Sequence, residues 1–209
     1  MLYDITRMVS ARTAVFPGDT PYSAELKWRM SDGAPVNLAT ITTTPHVGTH
    51  ADAYFHYSAH GKHPAEMPLG AYIGPARTIS VSKRRGELTE SDFPAGRLDG
   101  IKRLLIHTWV SEQPDDKWID DIPYPSVRLI ETLGKRGVVL LGVDVSSVDS
   151  IDSASLPGHH ALERLGMVNL ENLTLRGVPD GDYELIALPL KLDDPYTCAS
   201  PVRAVLRTP

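Results

Sequence analysis

Hydrophobic positions in this chain come in short runs rather than long stripes. Arg77-Thr-Ile-Ser-Val81, Arg103-Leu-Leu-Ile-His107, Val138-Val-Leu-Leu-Gly-Val143 and Tyr183-Glu-Leu-Ile-Ala-Leu188 are β-branched or apolar segments closed off by Gly, Pro or charge, and they read as strands. The run at Val138 is apolar on both strand faces, which predicts a strand covered on both sides. Helical spacing is rarer. Ser126-Val-Arg-Leu-Ile-Glu-Thr-Leu133 places Val127, Ile130 and Leu133 on one face, with Ser126 as N-cap and Gly134 or Gly137 as terminator. A shorter helix is predicted from about His159 to Leu165, ending at Gly166, before Met167-Val-Asn-Leu170 returns to an extended pattern. Mixed strands with few helices predict an α/β or α+β arrangement, and the pattern alone does not choose between them.

Composition narrows this. The chain has 209 residues, 42% hydrophobic and 22% charged, with 17 prolines spread along it and no repeat or low-complexity linker, so one domain over residues 1–209 is expected. The segment Met1-Leu-Tyr-Asp-Ile-Thr-Arg-Met8 lacks the apolar stretch of a secretory signal, and no apolar run is long enough to span a bilayer. A cytoplasmic protein with no membrane partner is expected. A formal charge of −5 gives no electrostatic reason to bind nucleic acid, and the basic run Lys83-Arg84-Arg85 reads as a solvated turn. The single Cys198 has no disulfide partner, and no CxxC pair exists, so any metal must rely on nitrogen and oxygen donors.

Such donors are concentrated. Of eight histidines, His46, His50, His56 and His60 lie within fifteen residues, together with Asp52. The spacing His46-xxx-His50-x-Asp52 would suit one face of a helix, but the β-branched run Ala39–Thr44, Pro45 and Gly48 all oppose a helix. In an extended chain positions 46, 48, 50 and 52 face one side. Four extended residues still span roughly 13 Å, too far for two imidazoles to share one ion at about 2.0–2.1 Å each. The strand must therefore bend, and Gly48 is the residue that permits it. A second group of donors, His159, His160 and Glu171, lies downstream; His60 and His63 sit in a polar stretch and read as solvent residues.

The segment His46-Val-Gly-Thr-His50-Ala-Asp52-Ala-Tyr-Phe-His56 resembles the HxGTHxDAPxH hallmark of the bacterial kynurenine formamidases, within the cyclase-like metal hydrolase family. The resemblance continues through Phe16-Pro-Gly-Asp-Thr-Pro21, Gly74-Pro-Ala-Arg77, Gly142-Val-Asp-Val-Ser-Ser-Val-Asp149, Gly181–Leu190 and Ser200–Leu206. It implies a swivelling β/β/α fold with a mixed sheet, a homodimer, and hydrolysis of N-formyl-L-kynurenine to L-kynurenine and formate in tryptophan degradation. It also implies His46, His50 and Asp52 as ligands of one zinc ion and His159 as a ligand of a second, with Asp52 and Glu171 bridging. Manganese is the alternative metal. By the same resemblance His56 carries the proton and Phe16 takes the place of a substrate-contacting tryptophan. The chain departs from the family pattern at Phe16, which lacks an indole N–H, at Tyr54 and Phe55, and in residues 144–150, whose missing prolines predict a looser loop. Two other readings remain open: a hydrolase of another aryl amide or of a lactam such as isatin, and a non-catalytic metal or small-ligand binding module.

Overall fold

A computed structural model of the chain describes residues 1–209. Its strands are β1 (Leu2–Asp4), β2 (Ser23–Trp28), β3 (Leu38–Thr42), β4 (His50–Asp52), β5 (Ile73–Ser80), β6 (Gly86–Leu88), β7 (Arg103–His107), β8 (Pro123–Pro125), β9 (Leu140–Val143), β10 (Val168–Leu170), β11 (Gly181–Ile186), β12 (Ala199–Pro201) and β13 (Val205–Arg207). Two α-helices join them, α1 (Val127–Lys135) and α2 (Pro157–Leu165). The central sheet has seven strands in the order β1-β13-β11-β5-β7-β9-β10. β5, β7, β9 and β10 are parallel neighbours, while β11, β13 and β1 extend the sheet antiparallel. The result is a mixed α/β fold in which the predicted strands form the middle of the sheet. No helix is long and apolar enough to cross a membrane.

Alternation along each strand sorts side chains into two cores. Leu104, Ile106, Leu141 and Val143 face one side, where α1 contributes Leu129, Ile130 and Leu133 and α2 contributes Ala161 and Leu162. Leu105, Leu140, Leu170 and Leu185 face the other, against Ile5, Tyr54, Met67 and Tyr72. Every residue of β9 is buried, as its two-faced apolar run predicts. α1 starts where expected, with Ser126 Oγ accepting the Leu129 N–H at 3.2 Å. It runs two residues beyond Leu133, and α2 starts at Pro157 and ends at Gly166 in the left-handed region.

Some boundaries differ from the sequence reading. β5 begins at Ile73 rather than Arg77, passing through Gly74-Pro75, which reads as a break. The strand survives there because β11 pairs with it from Ile73 to Thr78, whereas β7 pairs with it only from Arg77 onward; one side of this end has no strand partner, where proline is tolerated. Residues 144–150 are anchored, contrary to the expected looseness. Asp144 is buried and accepts hydrogen bonds from Thr108 N at 2.7 Å, Thr108 Oγ1 at 2.8 Å and Ser111 Oγ at 2.7 Å. Burial raises its pKa above the ordinary carboxylate value. These bonds fix the loop without prolines.

Gly142, in the middle of β9, has no room for a methyl group: a Cβ there would lie 2.4 Å from Leu105 Cδ2 and 2.9 Å from Leu173 Cδ1. Gly142→Ala is therefore expected to destabilise the fold by about 1–3 kcal/mol through overpacking, read as a lower midpoint in urea denaturation. An unchanged midpoint would show that β9 is less tightly enclosed than this packing implies.

Candidate active site

Two distant stretches are drawn together by one antiparallel bridge. His50 N donates to Glu171 O at 3.3 Å, and Glu171 N donates to His50 O at 3.0 Å. β4 extends from this bridge and pairs on its other side with β12, so that Asp52 lies opposite Ala199. Ahead of β4 the chain turns sharply. Gly48 has φ 71, and a Cβ there would meet Val9 Cγ2 at 2.5 Å, so both conformation and close approach require glycine. The bend is the one expected from the sequence, although regular strand geometry begins only at His50. It folds the His46 ring back over His50, with ring centroids 4.8 Å apart.

The five expected donors, His46, His50, Asp52, His159 and Glu171, converge. Asp52 uses its two oxygens for different partners: Oδ1 lies 3.2 Å from His46 Nδ1 and 3.4 Å from His50 Nε2, while Oδ2 lies 3.5 Å from His159 Nε2. Glu171 repeats this division, with Oε2 at 3.5 Å from His50 Nε2 and Oε1 at 3.4 Å from His159 Nε2. Two triads overlapping at Asp52 result, His46-His50-Asp52 and Asp52-His159-Glu171, and a third group of possible donors, His46-His56-Cys198, shares His46 with the first. His160 points away and is exposed. His60 is also exposed, while His63 is half-buried, with Nδ1 3.1 Å from Thr197 O, and contributes nothing to the triads.

The cluster fits a cation. His50 Nε2 and Asp52 Oδ1 are fully buried and have no hydrogen-bond partner, a costly arrangement unless a bound ion lies between them. Imidazole and carboxylate donors together suit zinc or manganese. The opposite ring nitrogens are tied down: His50 Nδ1 to Gly48 O at 2.9 Å, His159 Nδ1 to Asp149 Oδ2 at 2.7 Å and His46 Nε2 to Cys198 Sγ at 3.2 Å.

Several supporting residues escaped the sequence reading. Asp149 also accepts the N–H groups of Gly158 at 2.7 Å and His159 at 3.0 Å, capping α2 while orienting its histidine. Asn169 donates from Nδ2 to Asp52 Oδ2 at 2.7 Å and to Glu171 Oε1 at 3.1 Å. The signal for Asn169 was present, as a lone amide in the otherwise apolar Val168–Leu170. Trp118, in a polar loop, had none. It packs edge-on against Phe16 with centroids 5.5 Å apart, and both line a cavity of about 520 Å³ that reaches the donor cluster. His56 lines the same cavity and is exposed, its ring 4.2 Å from that of His46.

Charge explains the protonation of the metal-free cluster. Burial alone would lower the pKa of His46 and His50, but the attraction of Asp52, joined by Cys198 for His46 and Glu171 for His50, outweighs it and raises them to about 9 and about 10. The same pairing holds Asp52 well below its ordinary value despite burial. The histidines thus add stability to the metal-free fold below about pH 6.5, and this is lost as pH rises through about 9 and about 10. An incoming cation must displace their protons. Zinc affinity measured by calorimetry is expected to rise steadily from pH 6 to 9, with proton release detectable in buffers of different ionisation enthalpy; a flat profile would remove His46 and His50 from the ligand set.

Comparison with known proteins agrees with this geometry. A family model described as "Putative cyclase" matches residues 3–150. A kynurenine formamidase of Paracidovorax citrulli is 45% identical, the match covering 100% of this chain and 97% of the relative, and one of Bacillus thuringiensis is 41% identical over 98% and 96%. Among solved structures, a potential metal-dependent hydrolase with cyclase activity superposes with a TM-score of 0.85 at 23% identity, covering 100% of this chain and 99% of that one. Isatin hydrolase A from Labrenzia aggregata, bound to benzyl benzoate, also gives a TM-score of 0.85 at 23% identity, covering 100% and 94%. With identity above 40% over nearly its whole length, the chain belongs to the kynurenine formamidase family, within the larger cyclase family of hydrolases.

Proposed function

We propose that this chain is a metal-dependent arylformamidase that hydrolyses N-formyl-L-kynurenine to L-kynurenine and formate. The observation that carries the reading is the meeting, in one cavity, of two carboxylate-linked donor triads, an exposed histidine and an aromatic pair. His46, His50 and Asp52 would hold one zinc or manganese ion and His159 a second, with Asp52 and Glu171 shared between them. Each of these carboxylates faces both triads through separate oxygens, which supports the shared role. Cations held there would supply activated water near neutral pH and would polarise a carbonyl.

The chain's own residues do the rest. An arylamine leaves poorly as an anion, so its nitrogen needs a proton as the C–N bond breaks. His56 would take a proton from the attacking water and deliver it to that nitrogen. Unlike His46, His50 and His159, it faces the cavity without a carboxylate partner. Phe16 and Trp118 offer a wall against which an aryl ring packs, and Ile151 and Leu156 add apolar surface. Isatin, a cyclic aryl amide, presents the same carbonyl-nitrogen bond and is the competing substrate.

The assembly proposed is a homodimer joined through the β2–β3 hairpin. Every residue of both strands is exposed, Trp28 and Ile41 by more than half, and a two-stranded hairpin has little stability alone in water. The compartment proposed is the cytoplasm, where the free Cys198 would stay reduced.

Two tests follow from this reading. Purified, metal-loaded protein is expected to release formate from N-formyl-L-kynurenine with a higher kcat/KM than it shows for isatin, and His56→Ala to lower kcat by about 10²–10⁴-fold with metal content unchanged. No turnover of the formamide rejects the function, and metal lost in step with activity makes His56 a ligand instead. Light scattering is expected to give twice the chain mass for the wild type and a single chain mass for Trp28→Glu/Ile41→Glu; an unaltered mass would place the interface elsewhere.

A further inference from the structure

Each of the three clustered histidines has one nitrogen toward Asp52 or Glu171 and the other on a separate partner. For His50 that partner is a backbone carbonyl, and for His159 a buried carboxylate, both common outer supports of metal-binding imidazoles. For His46 it is a sulphur atom. Cys198 Sγ lies 3.2 Å from Nε2, and β12 pairing with β4 fixes its position, the Cys198 carbonyl accepting the Ala53 N–H at 2.9 Å. A ring nitrogen of His56 lies within 4.8 Å of the same sulphur, which thus stands between the first donor of the cluster and the proposed proton carrier.

We infer that Cys198 is a positioning residue for this centre: its sulphur accepts the Nε2–H of His46 and so directs Nδ1 toward Asp52 and the cation they share. The argument rests on the metal reading above and on the chemistry of imidazole. With a cation on Nδ1, Nε2 is the nitrogen that keeps its hydrogen, and it must donate somewhere. Cys198 Sγ is the acceptor in place. Without it, the partly exposed His46 ring is free to rotate, and the first triad loses the only member not already fully buried. A sulphur acceptor also distinguishes this chain's support of His46 from the oxygen supports of the other two rings.

The test compares wild type, Cys198→Ser and Cys198→Ala by calorimetric titration of the metal-free proteins with zinc, and by the visible spectrum of their cobalt forms. Outer-partner loss commonly costs about 10–100-fold in metal affinity. Cys198→Ala is expected to show at least a tenfold weaker zinc site, Cys198→Ser to recover most of the affinity through its hydroxyl acceptor, and the metal-free proteins to differ in melting temperature by too little to account for that loss. The inference is overturned if alanine binds zinc like the wild type, if serine fails to rescue, or if metal-free melting falls in parallel with affinity. A sulphur-to-cobalt charge-transfer band in the wild type would make Cys198 a ligand and overturn the positioning role. Because these readouts need no substrate, tight zinc binding with these variant effects but no formamide turnover would remove the proposed substrate and leave this inference standing.

Discussion

Two carboxylates, Asp52 and Glu171, are buried together, and much of the site is organised around making that tolerable. Burial and, after it, the like charge of Asp52 both push the Glu171 pKa upward. Glu171 is nevertheless held below its ordinary value, because the imidazoles of His159 and His50 face it at 3.4 and 3.5 Å. Val148 N–H at 3.0 Å and the Asn169 amide add neutral donors to the same oxygen. Positive charge from imidazolium or from a bound cation is thus a structural requirement of the pair. The cluster is unfinished without it.

The fold meets this requirement by placing the donors on ordered backbone. Asp52 and His50 lie on β4, Glu171 directly follows β10, and His159 sits in the first turn of α2. The bridge between His50 and Glu171 links them directly, so the relative position of the carboxylates depends on backbone hydrogen bonds rather than on flexible side chains. Asp149 does two jobs with one group, capping α2 and holding the His159 ring. A Cβ on Gly158 would lie 2.8 Å from Asp149 Oδ1, so this approach of helix and loop also depends on a bare backbone.

The central strands and both helices were legible in the sequence because each buries a run of apolar residues long enough to show a period. The three-residue strands β12, β6 and β8 were not, since a segment that short carries no periodicity and is defined by its partner, and β4 was legible only as part of a longer extended stretch from His46. His46, His50, Asp52, His159 and Glu171 were identified by residue type, spacing and resemblance, and the need for a bend at Gly48 followed from the reach of an extended chain. Their supports were harder to see. Cys198 and Asp149 matter through contacts made across the fold, and Trp118 reaches Phe16 from a loop whose local sequence, Pro114-Asp-Asp-Lys-Trp118, reads as plain solvent-exposed polarity.

All the donors but His46 stand on or directly beside strands and a helix, whereas Phe16, Trp118, Ile151 and Leu156 lie outside the strands, in the segments that close the cavity. Mutation can therefore reshape the wall, residue by residue, while the cluster beneath keeps its spacing. Diversification of what the cavity admits then carries little risk to the machinery that breaks the bond. A scaffold so divided lends itself to repeated reuse on new small molecules over evolutionary time.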